Sequence, residues 1–271
     1  MNNGEFEAKI VINGVPHCPK CKEAIEYRKI FNDRLYIFPV RCKCQEEEYR
    51  KQKAQEQKAK HEFERQMRIH KLRVNGIAVK SYHNWTFESD DMMTPKLTMI
   101  IREYVDKFEE SKEKGQGLIL WGDLGTGKTY YAMCIANALI DNGYKVYATS
   151  PSQIVMQMSD ISKAEERFKR FMSYDLIVLD DLGTERSTNF ATEQIYEFIN
   201  GCNVRNIPLI ITTNYTPTML KDASQNTENL SYARIYSRIL EKCCPIKINA
   251  IKRRVNKAIE NRADISKRLG L

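Results

Sequence analysis

The chain has 271 residues, 43 of them Lys or Arg against 35 Asp or Glu, giving a formal net charge of +8; it is 42% hydrophobic and 29% charged, with 12 Gly and 8 Pro. This composition excludes collagen-like, elastic and wholly disordered chains, and the length suits one good core plus a small appendage at roughly 100 to 200 residues per domain. No window approaches the ~18 consecutive apolar residues of a membrane span, and MNNGEFEAKIVING has no basic stretch before an apolar run, so the expected setting is cytoplasmic with no membrane partner.

Eight cysteines without an export signal read as metal ligands or core residues before disulfides. Four are spaced for a metal: Cys18-Pro-Lys-Cys21 and Cys42-Lys-Cys44. Zinc takes four thiolate or imidazole ligands in a tetrahedron, and two short Cys pairs on facing turns supply them. Between the pairs lie Tyr27, Ile30, Phe31, Leu35, Tyr36, Ile37 and Phe38. These suffice for a small hairpin laid over the site, but not for a core that would stand without metal. The one-residue spacing of the second pair departs from the commoner pattern and leaves His17 as an alternative ligand; a redox dithiol is the competing use of the thiols. Cys134 and Cys202 fall in apolar helical patterns as buried thiols, and the adjacent Cys243 and Cys244 are poor partners for each other.

Gln45 to Arg73 contain no Gly or Pro and are dense in Glu, Lys, Gln and Arg, which predicts a helix. Its apolar residues are sparse, so it is a solvated connector or a partner-binding helix. Tyr82, Trp85 and Phe87 form an aromatic cluster before a second helix expected over about Pro95 to Glu110.

The strongest signal begins at Leu118. The run Leu-Ile-Leu-Trp ends in Gly122-Asp-Leu-Gly125-Thr126-Gly127-Lys128-Thr129 and passes directly into an apolar helical pattern. This is a complete P-loop in strand-to-helix context. Its glycines let successive backbone N–H groups turn toward phosphates at the positive end of the new helix. Lys128 is expected to reach the β- and γ-phosphates, and Thr129 to ligate Mg2+.

Asp175-Leu-Ile-Val-Leu-Asp180-Asp181 reads as a buried parallel strand with acids at its carboxyl end. Asp180 is the candidate metal-side carboxylate and Asp181 the candidate for polarising the attacking water, with Glu185 available to share that role. A crossover helix over about Phe190 to Asn203 leads to Ile207-Pro-Leu-Ile-Ile-Thr-Thr-Asn214, a second buried strand whose terminal amide suits γ-phosphate sensing. Arg234 and Arg238, four apart on a predicted helix, share a face. From such a face an Arg can reach a neighbouring subunit's γ-phosphate, which would make hydrolysis depend on assembly. From Lys247 to the end, eight Lys and Arg face only Glu260 and Asp264, a basic tail able to follow a phosphate backbone.

In this order the motifs resemble the AAA+ ATPases of the DnaC/DnaI helicase-loader type, over about Asn75 to Asn249, with Leu-Asp-Asp-Leu-Gly the most specific stretch. The resemblance implies an α/β P-loop AAA+ core, with a parallel sheet flanked by helices, over residues 75–271. Before it come a zinc-binding module over 1–45 and a charged helical linker over 46–74. It makes Gly122, Gly125, Thr126, Gly127, Lys128 and Thr129 the ATP and Mg2+ loop, Asp180 and Asp181 the Walker B acids, Asn214 sensor 1, and Arg238 the arginine finger with Arg234 beside it. It also implies Zn2+ on Cys18, Cys21, Cys42 and Cys44, docking of the N-terminal module on a replicative helicase, and an ATP-dependent homo-oligomer. Single-stranded DNA would be bound at the helix Pro151 to Asp160, through Ser152, Gln153 and Met156. Two departures stand out: Asp-Asp replaces the common Asp-Glu, and the stretch after Arg238 is too short for a full lid, so a sensor 2 Arg is not expected beyond a weak substitute in Arg253 or Arg254. The IstB-type ATPases that assist a transposase on duplex DNA share the core motifs and are the alternative.

Overall fold

A computed structural model describes residues 10–90, 94–183, 188–225, 230–249 and 253–269. The chain divides into two compact units, residues 1–67 and 68–271.

In the first unit, β1 (Ile10–Ile12) pairs antiparallel with β2 (Val15–His17), and β3 (Glu26–Phe31) with β4 (Arg34–Pro39). Asn32 and Asp33 close the second hairpin, both at positive φ (48° and 56°). A two-residue loop of that handedness matches the strand twist, and Asn and Asp tolerate it. Helix α1 (Lys43–Gly76) starts inside the second Cys pair and runs 34 residues across the division. Its two buried residues, Ile69 and Gly76, belong to the second unit. Upstream its surface carries i,i+4 pairs such as Lys51 with Glu47 at 2.9 Å, each worth only a few tenths of a kcal/mol. Among the described residues of the first unit only Cys18 and Cys42 are buried. The hairpin forms where expected, yet Tyr27, Ile30, Phe31, Leu35, Tyr36, Ile37 and Phe38 are open to solvent rather than laid over the cysteines.

The second unit continues with α2 (Pro95–Asp106), α3 (Phe108–Lys114), β5 (Gly117–Trp121), α4 (Lys128–Asp141), β6 (Val146–Thr149), α5 (Pro151–Met158), α6 (Ile161–Phe171) and β7 (Leu176–Leu182). It ends with α7 (Asn189–Val204), β8 (Leu209–Thr213), α8 (Pro217–Ser224), α9 (Leu230–Lys242), β9 (Cys243–Lys247) and α10 (Arg253–Leu269). The single helix expected over Pro95 to Glu110 is two, broken at Lys107. The five strands form one parallel sheet in the order β6-β7-β8-β5-β9. Strands buried on both faces read as near-continuous apolar runs, which is why Leu-Ile-Leu, Leu-Ile-Val-Leu and Leu-Ile-Ile are the central three. Alternation sends Leu118 and Leu120 into a core with Tyr131, Ile135, Leu139 and Ile140 of α4, while Ile119 enters the opposite core with Ile195 and Phe198 of α7 and Ile235 and Ile239 of α9. At Gly117 the strands lie so close that a Cβ would sit 2.0 Å from the Leu209 carbonyl oxygen.

The edge strand β9 was not anticipated: Cys243 and Cys244 lie in it, and Pro245 is tolerated there. Cys134 and Cys202 are fully buried thiols, as expected. Among the described residues no helix is long and apolar enough to cross a membrane.

Candidate nucleotide-binding site and cysteine centre

At the carboxyl edge of the sheet, β5 turns into α4 through a loop in which Gly122, Gly125 and Gly127 all have positive φ (149°, 80° and 96°). At Gly122 a Cβ would also meet the Ile248 carbonyl oxygen at 2.6 Å, so no other residue fits there without displacing β9's continuation. Gly127 caps α4, leaving the first-turn N–H groups without intrahelical acceptors and directed at the loop. Lys128 is only 6% exposed. Its Nζ donates to the carbonyl oxygens of Gly122 (2.8 Å) and Asp123 (2.7 Å) and to Oδ1 of Asn214 (2.8 Å). Thr126 Oγ1 donates to the Asp123 carbonyl (2.9 Å) and ties the loop to itself. The contact between Lys128 and Asn214 joins the P-loop to the end of β8, two strands that are direct neighbours.

On the far side of β8, the register with β7 shifts between Leu179 and Leu182. The irregularity falls on Asp180 and Asp181, and Asp181 stands at φ 59°, a left-handed conformation that Asp tolerates better than most residues and that its surroundings here impose. Thr212, fully buried on β8, supplies part of that imposition. Its hydroxyl donates to Asp180 Oδ1 (2.6 Å) and accepts from the Asp181 N–H (2.8 Å). Burial pushes the Asp180 carboxyl above the ordinary aspartate range, and the neighbouring Asp181 charge adds to this, while the hydroxyls of Thr212 and Thr129 and the Lys128 ammonium pull it back. Lys128, Thr129, Asp180 and Asn214 are therefore brought to one edge of the sheet, with Asp181 exposed beside them. Thr212 was missed by sequence reasoning; the signal was a polar residue inside an otherwise apolar strand.

Arg234 and Arg238 lie on α9, whose buried stripe is Ala233, Ile235, Tyr236 and Ile239. Arg234 is exposed. Arg238 is half-buried and engages α7, its Nη2 donating to the Tyr196 hydroxyl at 3.4 Å and its guanidinium 5.7 Å from that ring's centroid. Ser152, Gln153 and Met156 are exposed on α5, whose first turn is capped by Ser150 accepting from the Gln153 N–H. Asp160 caps α6 instead, so the helix expected to run to Asp160 ends at Met158. Glu185 and the side chains of Arg253 and Arg254 lie outside the described residues.

In the first unit, Cys18, Cys21, Cys42 and Cys44 present four sulfurs that all lie within 4.8 Å of one another. Cys44 Sγ is 3.3 Å from Cys18 Sγ, 3.3 Å from Cys42 Sγ and 3.6 Å from Cys21 Sγ. Tetrahedral thiolates at Zn–S of ~2.3 Å would stand ~3.8 Å apart, so the spread suits a closed four-sulfur site. The Cys21 backbone N–H pulls the Cys18 thiol down to about 6, while crowding by the neighbouring sulfurs, Cys42 first, pushes Cys44 up to about 12. Four thiolates so close need a cation to ionise together. His17 stays out of the cluster, its Nδ1 bonded to the Val15 carbonyl oxygen at 2.8 Å.

A parallel sheet in this order, with a P-loop after one strand, paired acids closing another and an amide at the end of the strand between them, defines a P-loop protein of the AAA+ class. Residues 46–260 match the model of the IstB-like ATP binding protein family, and the chain belongs to that family. It is 25% identical over 180 residues to the replicative helicase loader DnaI of Bacillus subtilis, covering 62% of this chain and 58% of the relative. It is 30% identical over 90 residues to an insertion-sequence ATP-binding protein of Sinorhizobium fredii, covering 32% and 30%. The crystal structure of the DnaC helicase loader superposes with a TM-score of 0.54 at 25% identity, covering 63% of this chain and all of that one. The chain thus spans less than two thirds of the length of these two curated relatives.

Proposed function

We propose that this protein is an ATP-hydrolysing helicase loader acting in the initiation of DNA replication. In this reading residues 1–45 form a zinc-bearing module that docks on the replicative helicase, residues 46–74 a linker, and residues 75–271 an AAA+ core that binds single-stranded DNA. The observation that carries it is the pairing of a four-thiolate module with a P-loop core, where the core resembles helicase loaders in both sequence and fold.

The loop N–H groups after Gly122 and the Lys128 ammonium would take the phosphates of ATP. Thr129 and Asp180 would hold Mg2+, which shields the phosphate charge. Asp181, exposed beside them, would orient the attacking water. Asn214, bonded to Lys128, would turn to the γ-phosphate once that ammonium is drawn to the nucleotide. Arg238 would act on the γ-phosphate of a neighbouring subunit, with Arg234 beside it, and this makes hydrolysis depend on oligomer formation. Ser152, Gln153 and Met156 on α5 would contact single-stranded DNA. Zn2+ on the four cysteines would supply folding energy to a module that buries little else.

The test mixes purified protein with a replicative helicase and compares wild type with Cys18→Ser/Cys21→Ser. Loss of the complex supports the docking role, and full retention after metal loss removes it. The family model and the insertion-sequence relative favour a second reading, an ATPase that assists a transposase on duplex DNA. Binding to single-stranded and duplex oligonucleotides across a salt series separates the two, since preference for duplex supports the transposition role.

A further inference from the structure

The β3–β4 hairpin has two faces of different chemistry. Register pairs Tyr27 with Phe38, Lys29 with Tyr36 and Phe31 with Arg34, and alternation places all six on one face. That face therefore carries four aromatic rings, two cations and no carboxylate. The other carries Glu26, Arg28, Ile30, Leu35, Ile37 and Pro39, with its charges satisfied: Arg28 pairs with Glu26 at 3.2 Å and also donates to the Gly14 carbonyl. The rings are far from buried, with Tyr27 56%, Phe31 60%, Tyr36 44% and Phe38 48% exposed. Among the described residues neither Lys29 nor Arg34 forms an ion pair.

We propose that this aromatic and cationic face binds single-stranded DNA, giving the cysteine module a nucleic-acid site separate from the ATPase core. The choice of occupant follows from the composition of the two faces. Rings and Arg also serve protein interfaces, so charge decides: this face carries two cations and no carboxylate, as a polyanion requires. Flat rings interleaved with unpaired cations suit stacked bases with phosphates between them, a combination that is tolerant of sequence and selective for unpaired strands. Same-face residues step by about 6.8 Å along a strand, comparable to the step between phosphates of an extended single strand. The inference deepens the loader reading and rests on it, since it adds a second contact to the same strand of DNA.

The test uses the full-length protein and a fluorescent oligo-dT strand, read by anisotropy over a salt series. Tyr27→Leu/Phe31→Leu/Tyr36→Leu/Phe38→Leu keeps the face apolar but removes the stacking planes, and metal content and ATPase activity report that the module and core remain folded. Affinity is expected to fall by about fivefold to a hundredfold for each base that loses its ring. Lys29→Ala and Arg34→Ala should each flatten the log–log salt slope by about 0.7. Oligonucleotides carrying 5-iodouracil should photocrosslink to peptides spanning residues 26–39 in the wild type. Ile30→Ala/Ile37→Ala, on the other face, should leave DNA binding unchanged. Wild-type affinity in the leucine variant, with crosslinks confined to the core, overturns the inference and leaves the loader reading standing. Loss of the helicase complex with DNA binding intact makes the face a protein-docking surface and also overturns it. If wild-type protein binds no single-stranded DNA with or without ATP, both the inference and the DNA half of the loader reading fall.

Discussion

The two units reach order by different means. In the core, three central strands and α4, α7 and α9 bury side chains such as Ile119, Tyr131, Ile135, Phe198 and Ile211 almost completely. At ~25 cal/mol per Å2 of apolar surface such burial is the dominant stabilising contribution, and polar groups like Thr212 are carried inside because each finds a partner. The cysteine module places Tyr27, Ile30, Phe31, Leu35, Tyr36, Ile37, Phe38 and Val40 on the outside and buries two thiols. Its order depends on short-range hydrogen bonds, such as Cys18 N–H to the Glu23 carbonyl (2.8 Å), and on whatever holds four sulfurs together. One unit is therefore expected to survive the loss of a single interaction, and the other to depend on its centre.

The largest effect is expected from removing the zinc proposed for the four cysteines. Chelation, or Cys18→Ser/Cys21→Ser, is expected to unfold residues 10–39 while the core keeps its unfolding transition, because a structural zinc of the kind proposed would contribute on the order of 10 kcal/mol to so small a module. Limited proteolysis and amide exchange read both halves in one sample. Equal protection of the hairpin before and after metal loss would show that the module has a source of stability not visible in its burial.

The next largest effect is on turnover. Lys128→Ala removes the ammonium that bridges the P-loop to Asn214 and should lower ATP hydrolysis by on the order of a hundredfold or more, with the fold retained by circular dichroism. Arg238→Ala should also lower hydrolysis, and mixing it with Lys128→Ala protein should partly restore activity at mixed interfaces; absence of rescue argues against an arginine acting across subunits. Arg238 engages Tyr196 in its own chain, so Tyr196→Phe is the control that separates a structural loss from a catalytic one.

Much of this was legible in the chain because some signals are local. The P-loop is contiguous, its glycines are required by backbone conformation, and the apolar runs before Gly122, Asp180 and Asn214 identify neighbouring buried strands. The four cysteines were legible from spacing, although only their closing on one another without His17 set that residue apart. What stayed hidden depends on pairing across the sheet. Cys-Cys-Pro-Ile-Lys has little strand character of its own and becomes β9 by lying beside β5. The register shift at Asp180 and Asp181 leaves no trace in an apolar pattern. Composition likewise counted the aromatic residues of the hairpin without showing that both its faces are open.

Thr212 offers a finer test of the core. Thr212→Val keeps the shape but leaves the Asp181 N–H and Asp180 Oδ1 without their shared partner, which costs about 1–3 kcal/mol if neither finds another. Thermal unfolding should register the loss, and hydrolysis should fall more than stability alone explains because the bulge that presents both acids relaxes. Unchanged activity would mean the acids are positioned by β7 itself.

The smallest effect has the opposite sign and comes from Asp180. Its carboxyl is raised in the folded state, chiefly by burial, so the folded protein binds a proton more readily than the unfolded chain. Such a group contributes most stability below its unfolded value and loses that contribution as pH rises through the folded one. Once ionised, Asp180 is therefore a destabilising group at the candidate nucleotide site. Asp180→Asn should raise the unfolding temperature of the nucleotide-free protein by a few degrees while abolishing Mg2+-dependent hydrolysis. The advantage of the variant should shrink as pH falls from neutral toward the ordinary aspartate value, where the wild-type carboxyl becomes protonated. Mg2+ with nucleotide should reverse the order of the two proteins, because only the wild type gains a cation to offset its buried charge. An asparagine variant less stable than wild type at every pH would show that the Thr212 and Thr129 hydroxyls outweigh burial, and that this acid is a structural contributor as much as a catalytic one.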